Sequence, residues 1–241
     1  LDSLNSTQQQ AVKKADGPLL VVAGPGSGKT RVLTFRIANL IKIGVPAYQI
    51  LALTFTNKAA SEMKSRIVNL VGDQSNRLWM GTFHSMFARI LRVEGEKIGF
   101  QKSFSIYDTE DSLGLIKNIM NGQQLAFQQY HPNAVRSRIS GAKNQLISPD
   151  EYADQARDIF DEKTAKVYKE YHWKLKQNNA MDFDDLLLKS IELFSGHKKI
   201  LEKYQDRFRF ILIDEYQDTN RAQYVLINML ASKYRNFCVE I

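Results

Sequence analysis

The run Ala23-Gly24-Pro25-Gly26-Ser27-Gly28-Lys29-Thr30 joins three glycines to a lysine and a hydroxyl, with an apolar segment before it and a helical pattern after it. That is the context a phosphate-binding loop requires. Glycines let the backbone curl so that successive N–H groups point inward at an anion, and the helix N-terminus adds partial positive charge. Lys29 would reach the β- and γ-phosphates of a nucleotide, and the Thr30 hydroxyl would ligate Mg²⁺. A second group stands far downstream, where the apolar run Ile211-Leu212-Ile213 ends in Asp214-Glu215. Asp214 would hold Mg²⁺ through its water shell, and Glu215 would accept a proton from an attacking water. Taken alone, acidic residues after a strand also suit a helix N-cap. Beside a phosphate loop, the two halves complete one metal–phosphate site.

Such residues need a scaffold that brings positions 29 and 214 together. Leu19–Ala23 reads as a buried parallel strand, followed by a helix over 29–43 that Gly44 and Pro46 end. Ile50–Thr54 and Leu78–Thr82 read as further strands, each followed by a helical pattern, over 57–71 and 84–98. Strand and helix alternate as in a parallel α/β sheet. From about residue 108 the texture changes to polar amphipathic helices over 110–120, 132–144, 149–158 and 160–177, with no convincing buried strand before residue 209. Phe208–Ile213 restores the strand pattern, a helix over 220–234 follows, and Phe237-Cys238-Val239 begins another strand.

The chain has 241 residues, 44% hydrophobic and 24% charged, an ordinary globular composition. Its single cysteine, Cys238, cannot form an internal disulfide, which suits a reducing, intracellular setting. No signal peptide opens the sequence and no apolar run is long enough to span a bilayer. Net charge is +7, and residues 1–107 hold 14 Lys and Arg against 6 Asp and Glu, while the remainder is balanced. A polyanion would be drawn to the first segment, although a solvated basic surface accounts for the same charge.

Asp214-Glu215-Tyr216-Gln217-Asp218-Thr219 resembles motif II of the UvrD/Rep/PcrA group of superfamily 1 DNA helicases. Other segments agree in order. Leu4 to Val12 resembles the Q motif, Gly28-Lys29-Thr30-Arg31 motif I, and Thr54 to Ala60 motif Ia. Gly81-Thr82-Phe83-His84-Ser85 resembles motif Ib and Met181 to Leu186 motif Id, so the resemblance runs from about residue 4 to 239. It implies a P-loop (RecA-like) parallel sheet flanked by helices, made of residues 1–107 and 178–241, with an inserted all-α subdomain over 108–177. It implies ATP and Mg²⁺ as cofactors and 3′→5′ movement on single-stranded DNA with separation of duplexes at single-strand/duplex junctions. Gln8 would read the adenine edge and Arg31 would lie beside the base. Phe55 would stack on a DNA base, and Thr56, Asn57, Thr82 and His84 would contact phosphates or sugars. Gln217 would couple nucleotide state to DNA or stabilise its turn. Bland roles stay open: Phe55 as core, His84 as a helix-terminal residue, and Asp182, Asp184 and Asp185 as first-turn acids rather than metal ligands. Ser140 to Asn144 would touch DNA or form a solvated helix end.

The sequence stops where the resemblance expects motif III, and Glu240-Ile241 replaces the expected turn with Gly, Asp and Gln. These two residues read as an uncertain end. A second RecA-like domain and its arginines are expected to complete the site, so residues 1–241 alone would bind Mg·ATP weakly and hydrolyse it slowly. A cytoplasmic, nucleoid-associated protein is expected. The alternatives are a helicase-nuclease subunit of the RecB/AddA type, against which the compact insertion argues, and an ATP-switched DNA-binding module, against which Glu215 argues.

Overall fold

Five short apolar segments pair as one all-parallel sheet: β1 (Leu19–Val21), β2 (Ile50–Thr54), β3 (Trp79–Thr82), β6 (Phe210–Ile213) and β7 (Phe237–Glu240). The protein is described by a computed structural model covering residues 4–14, 16–22, 24 and 27–240. Spatial order is β1-β7-β6-β2-β3. β2 is buried along its whole length, as expected of a central strand covered on both faces. β1 is not the buried strand its composition suggested. It lies at an edge of the sheet, with Leu20 55% exposed, because β7 pairs with it on one side only. Ala23, the last residue of the strand that the sequence suggests, lies outside the described residues.

Parallel strands need helical crossovers. α1 (Ser6–Lys13) precedes β1, α2 (Lys29–Lys42) and α3 (Asn57–Val71) follow β1 and β2, and α4 (Phe83–Glu94) follows β3. Leu33, Ile37 and Leu40 of α2 and Met63 and Ile67 of α3 pack on Ile50, Ala52, Leu212 and Cys238. Each such buried side chain contributes about 1.5–3 kcal/mol. α3 begins where Thr56 caps it, its hydroxyl accepting from the Ala59 N–H at 3.1 Å.

Between α4 and β6 come β4 (Ser105–Tyr107), α5 (Thr109–Gly122), α6 (Pro132–Asn144), α7 (Pro149–Asp154), α8 (Ile159–Gln177), β5 (Ala180–Asp182), α9 (Phe183–Gly196) and α10 (Lys198–Arg207). α11 (Arg221–Ala231) links β6 to β7. Residues 108–177 carry only helices, as expected, but β4 and β5 flank them as a separate parallel pair. Both were overlooked as three-residue strands, too short to show a period. The chain divides into two compact units. The first holds residues 1–86, 194–219 and 223–241, and the second holds 87–193 and 220–222. The texture of the sequence placed the changes at 107/108 and 177/178. The compact units change over inside α4 and α9, and β4 and β5 pair with each other within the second. That second unit has its own core, in which Ile116, Ile119 and Met120 of α5 meet Val135 and Ile139 of α6 and Val167, Tyr168 and Tyr171 of α8.

Candidate nucleotide and DNA sites

Ligands of open parallel sheets bind at the carboxyl ends of the strands. In the first unit those ends carry nearly every residue singled out above. α2 opens at Gly28, whose φ of 85° is the left-handed conformation that favours glycine. The Arg31 and Val32 N–H groups bond the Gly28 carbonyl at 3.0 and 3.1 Å, so the helix winds directly out of the loop. The first N–H groups of a helix lack intrahelical partners, which suits an anion at this end of α2. Ser27, Gly28, Lys29, Thr30, Arg31, Arg66, Glu215 and Gln217 line one cleft of about 570 Å³. Gly24 lies in the same loop, and its carbonyl accepts from the Ser27 N–H at 3.2 Å. Pro25 and Gly26, like Ala23, lie outside the described residues.

The carboxylates come from the end of β6. The Asp214 N–H bonds the Leu53 carbonyl of β2 at 3.1 Å, which continues the strand register one residue beyond Leu53–Ile213. Asp214 is buried, with one carboxylate oxygen, Oδ1, left without a hydrogen-bond partner. Burial and then the neighbouring Glu215 raise its carboxyl above the ordinary value. A buried, unpartnered carboxylate oxygen in the unit that presents Thr30 suits a hard divalent cation, so the residues present fit Mg²⁺. The chain then turns sharply. Glu215 has φ 51° and ψ 49°, a left-handed conformation unusual outside glycine and asparagine. Strain of this kind concentrates at functional sites. It turns Glu215 toward Lys29, whose ammonium lies 3.9 Å from Glu215 Oε2, and the Gln217 side-chain amide donates to that same oxygen.

Gln8 reaches the loop but is already engaged. Its Nε2 donates to the Ser27 carbonyl at 3.0 Å, while its Oε1 accepts from the Asn5 N–H at 3.0 Å in a reciprocal cap of α1. It therefore latches α1 to the phosphate loop, and one amide hydrogen remains for a base edge. Arg31 lies 5.7 Å from the Phe35 ring, and the two residues line a neighbouring hollow of about 310 Å³ with Arg66, Asn69 and Leu70. Arg66 was missed by sequence reasoning. It lies on α3, 37 residues beyond Lys29, paired at 3.7 Å with Glu62 one turn earlier, and only its helical face aligns it with the cleft.

The DNA candidates sit at the ends of β2 and β3. Phe55 is half-buried, its ring 5.5 Å from that of buried Phe83, which leaves part of it exposed as a platform. Thr56 and Asn57 are exposed at the start of α3. The Thr56 hydroxyl accepts one bond as a cap and keeps its proton for another acceptor. Thr82 caps α4 instead: its hydroxyl accepts from the Ser85 N–H at 3.2 Å and donates to the Ser85 hydroxyl at 3.1 Å. His84 is half-buried and has interactions of its own.

Asp182 and Asp185 of the second unit hold a cation of a different kind. The Lys143 ammonium lies 2.7 and 2.8 Å from them, so they are ion-pair partners rather than metal ligands. Among the described residues no group of three or more His, Cys, Asp or Glu is arranged to hold a metal.

A phosphate loop after one strand of a parallel sheet and a carboxylate pair after another define a P-loop nucleotide-binding domain. The sequence model described as UvrD/REP helicase N-terminal domain matches residues 4–239, and the chain belongs to this family. It is 48% identical over 240 residues to the ATP-dependent DNA helicase PcrA of Bacillus subtilis (strain 168), covering 99% of this chain and 32% of that protein. It is 47% identical to a protein of the same name in Staphylococcus aureus (strain Mu50), over 99% of this chain and 33% of that one. The corresponding figures for Staphylococcus epidermidis are 46%, 98% and 33%. The chain thus spans about a third of the length of the curated relatives it matches. Among the described residues, no helix is long and apolar enough to cross a membrane.

Proposed function

We propose that this chain is the first motor domain of an ATP-driven DNA helicase that moves 3′→5′ along single-stranded DNA and opens duplexes at single-strand/duplex junctions. The observation that carries the reading is the shared sheet edge. Leu53 and Ile213 are paired in register, so the chain leaves β2 toward Phe55 beside the chain that leaves β6 toward Glu215. Adjacent strands lie about 4.8 Å apart. A change at the nucleotide is thereby passed to the DNA track across one strand spacing.

In this reading Lys29 and the first N–H groups of α2 hold the β- and γ-phosphates, with Arg66 adding charge at the rim. Arg31 and Gln8 flank the base. Thr30 and Asp214 hold Mg²⁺, which when bound neutralises charge on the phosphate oxygens. Glu215, oriented by Gln217, takes the proton of the attacking water. Before nucleotide arrives Lys29 rests near Glu215, and its move to the γ-phosphate frees that carboxylate. Phe55 stacks on a base without regard to sequence, while Thr56, Asn57, Thr82 and His84 guide the backbone. A second RecA-like domain supplies the arginines that close the site. An arginine finger is worth about 10³–10⁵ in rate in related phosphoryl-transfer enzymes, so residues 1–241 alone hydrolyse ATP slowly. The protein works in the cytoplasm on nucleoid DNA.

The test is ATP hydrolysis by the intact protein, titrated with single-stranded DNA. Strong stimulation is expected, and Lys29→Ala is expected to lower kcat at least about 10²-fold. A rate indifferent to DNA would point to an ATP-switched binding module instead.

A further inference from the structure

A hollow of about 700 Å³ in the second unit is lined by one face of α8, one face of α9 and the turn that leads into α7. All of its lining residues belong to the stretch 87–193, so the feature stands within one compact unit. On α8 the lining positions are 169, 172, 173 and 176, which the helical repeat places on one face. Much of the lining is apolar. Leu146, Leu188 and Ile191 are each half-buried, and Trp173 is 57% exposed. A lone exposed apolar side chain is ordinary, but an exposed indole grouped with aliphatic neighbours in a hollow marks a binding surface.

Charge gives the hollow a sign. Lys169, Lys176 and Lys189 line it, as do Asp150, Glu192 and Asp185. Lys169 is paired with Asp150 at 2.8 Å and Lys189 with Glu192 at 2.7 Å, while Asp185 is held by Lys143 at 2.8 Å. Among the described residues Lys176 is exposed and has no carboxylate partner. His172, one turn before Lys176, adds no charge: burial, then Lys189 and Lys143, lower its imidazole to about 4, with Lys176 acting in the same direction and Glu192 against it.

These features select the occupant. A nucleic-acid strand needs a row of free cations for its backbone and several aromatic faces for its bases. Here one lysine is free, one indole is exposed and the other half-buried apolar lining is aliphatic. An amphipathic peptide helix needs the reverse: an apolar trough for side chains at i, i+3 and i+4, and a cation for a flanking carboxylate. We propose that this hollow is a docking groove for a partner protein, taking a short amphipathic helix whose apolar face lies on Trp173, Leu188 and Ile191 and whose carboxylate meets Lys176. None of these residues is assigned to ATP or DNA, so the proposal stands apart from the helicase reading.

The experiment measures binding of two fluorescein-labelled peptides of about 12 residues to the intact protein by fluorescence anisotropy. Both carry leucine at i, i+3, i+4 and i+7, and the remaining positions are glutamate in one and lysine in the other. The acidic peptide is expected to bind more tightly than the basic one. Trp173→Ala is expected to weaken it about 10-fold or more, as for an aromatic anchor, and Lys176→Ala about 2–5-fold, as for an exposed charge pair. Both side chains are exposed on α8, and circular dichroism melts matching wild type are expected for both variants. Equal binding of the two peptides, no binding of either up to about 1 mM, or an unchanged affinity in Trp173→Ala would each overturn the proposal. So would an oligothymidylate that displaces the acidic peptide and loses affinity in Trp173→Ala, which would give the groove to nucleic acid, or a dimer in sedimentation that the same change dissolves, which would give it to a second copy. Acrylamide quenching that is the same in wild type and Trp173→Phe would show that the intact protein covers the groove itself, and would equally overturn it.

Discussion

Glu240 sits in an environment that opposes its charge. It ends β7, in register with Val21 of β1, and its carboxyl is buried beside Asp214. Burial, and then the charge of Asp214, push its carboxyl up to about 9 from the ordinary 4.5. The folded protein therefore holds a proton that the unfolded chain releases. Stability is fully present below about pH 4.5 and is lost as pH rises toward about 9. Glu240→Val is expected to raise stability at pH 7.5 by about 1–3 kcal/mol and to remove this slope. Urea unfolding at several pH values checks it, and parallel pH profiles for the two proteins would show that Glu240 carries no such cost. Glu215, two positions beyond the strand pairing of β6, shows the opposite use of an awkward geometry. Its left-handed backbone is what swings a carboxylate from a buried strand end toward Lys29.

Among the elements, α6 is joined by charge to the end of β5 and the start of α9. Asp182, Asp185 and Lys143 were separately unremarkable in the sequence: two first-turn acids and a lysine in a helix end open to a DNA-contact reading. Only the folded second unit encloses Lys143 completely, with Asp182 and Asp185 each nearly buried. Burial opposes the lysine's charge, but the two carboxylates outweigh it and hold the ammonium firmly protonated. Lys143→Met would leave two buried anions facing one another and is expected to cost about 3–5 kcal/mol. Adding Asp185→Asn should return part of that loss. Chemical unfolding of both variants measures it, and a Lys143→Met protein as stable as wild type would show that the cluster is solvated.

For the whole molecule, the division into units has a consequence for folding. The first unit is assembled from three chain segments, whereas the second is almost entirely the contiguous stretch 87–193. That stretch contains a full apolar cluster and the β4–β5 pair. Residues 87–193 expressed alone are therefore expected to unfold cooperatively in a circular dichroism melt. A gradual, non-cooperative loss of helix would show that the inserted unit depends on the sheet that carries it.

Local chemistry was legible in the sequence, and long-range placement was not. The phosphate loop, the Asp214-Glu215 pair and the helices over 57–71 and 132–144 follow from near neighbours: glycine torsions, caps and apolar spacing act within a few residues. The exposure of β1, the pairing of β4 with β5, the place of Arg66 in the cleft beside Lys29 and the bond between Asn144 and Asn220 are of another kind. Each depends on which distant segments the sheet order and the packed helices bring together. A strand's composition sets its tendency to be buried, but its position in the sheet decides whether anything covers it. A lysine's sequence neighbours say nothing of carboxylates some 40 residues away, and only their shared burial, 2.7–2.8 Å apart, makes one ion of the three hold the other two.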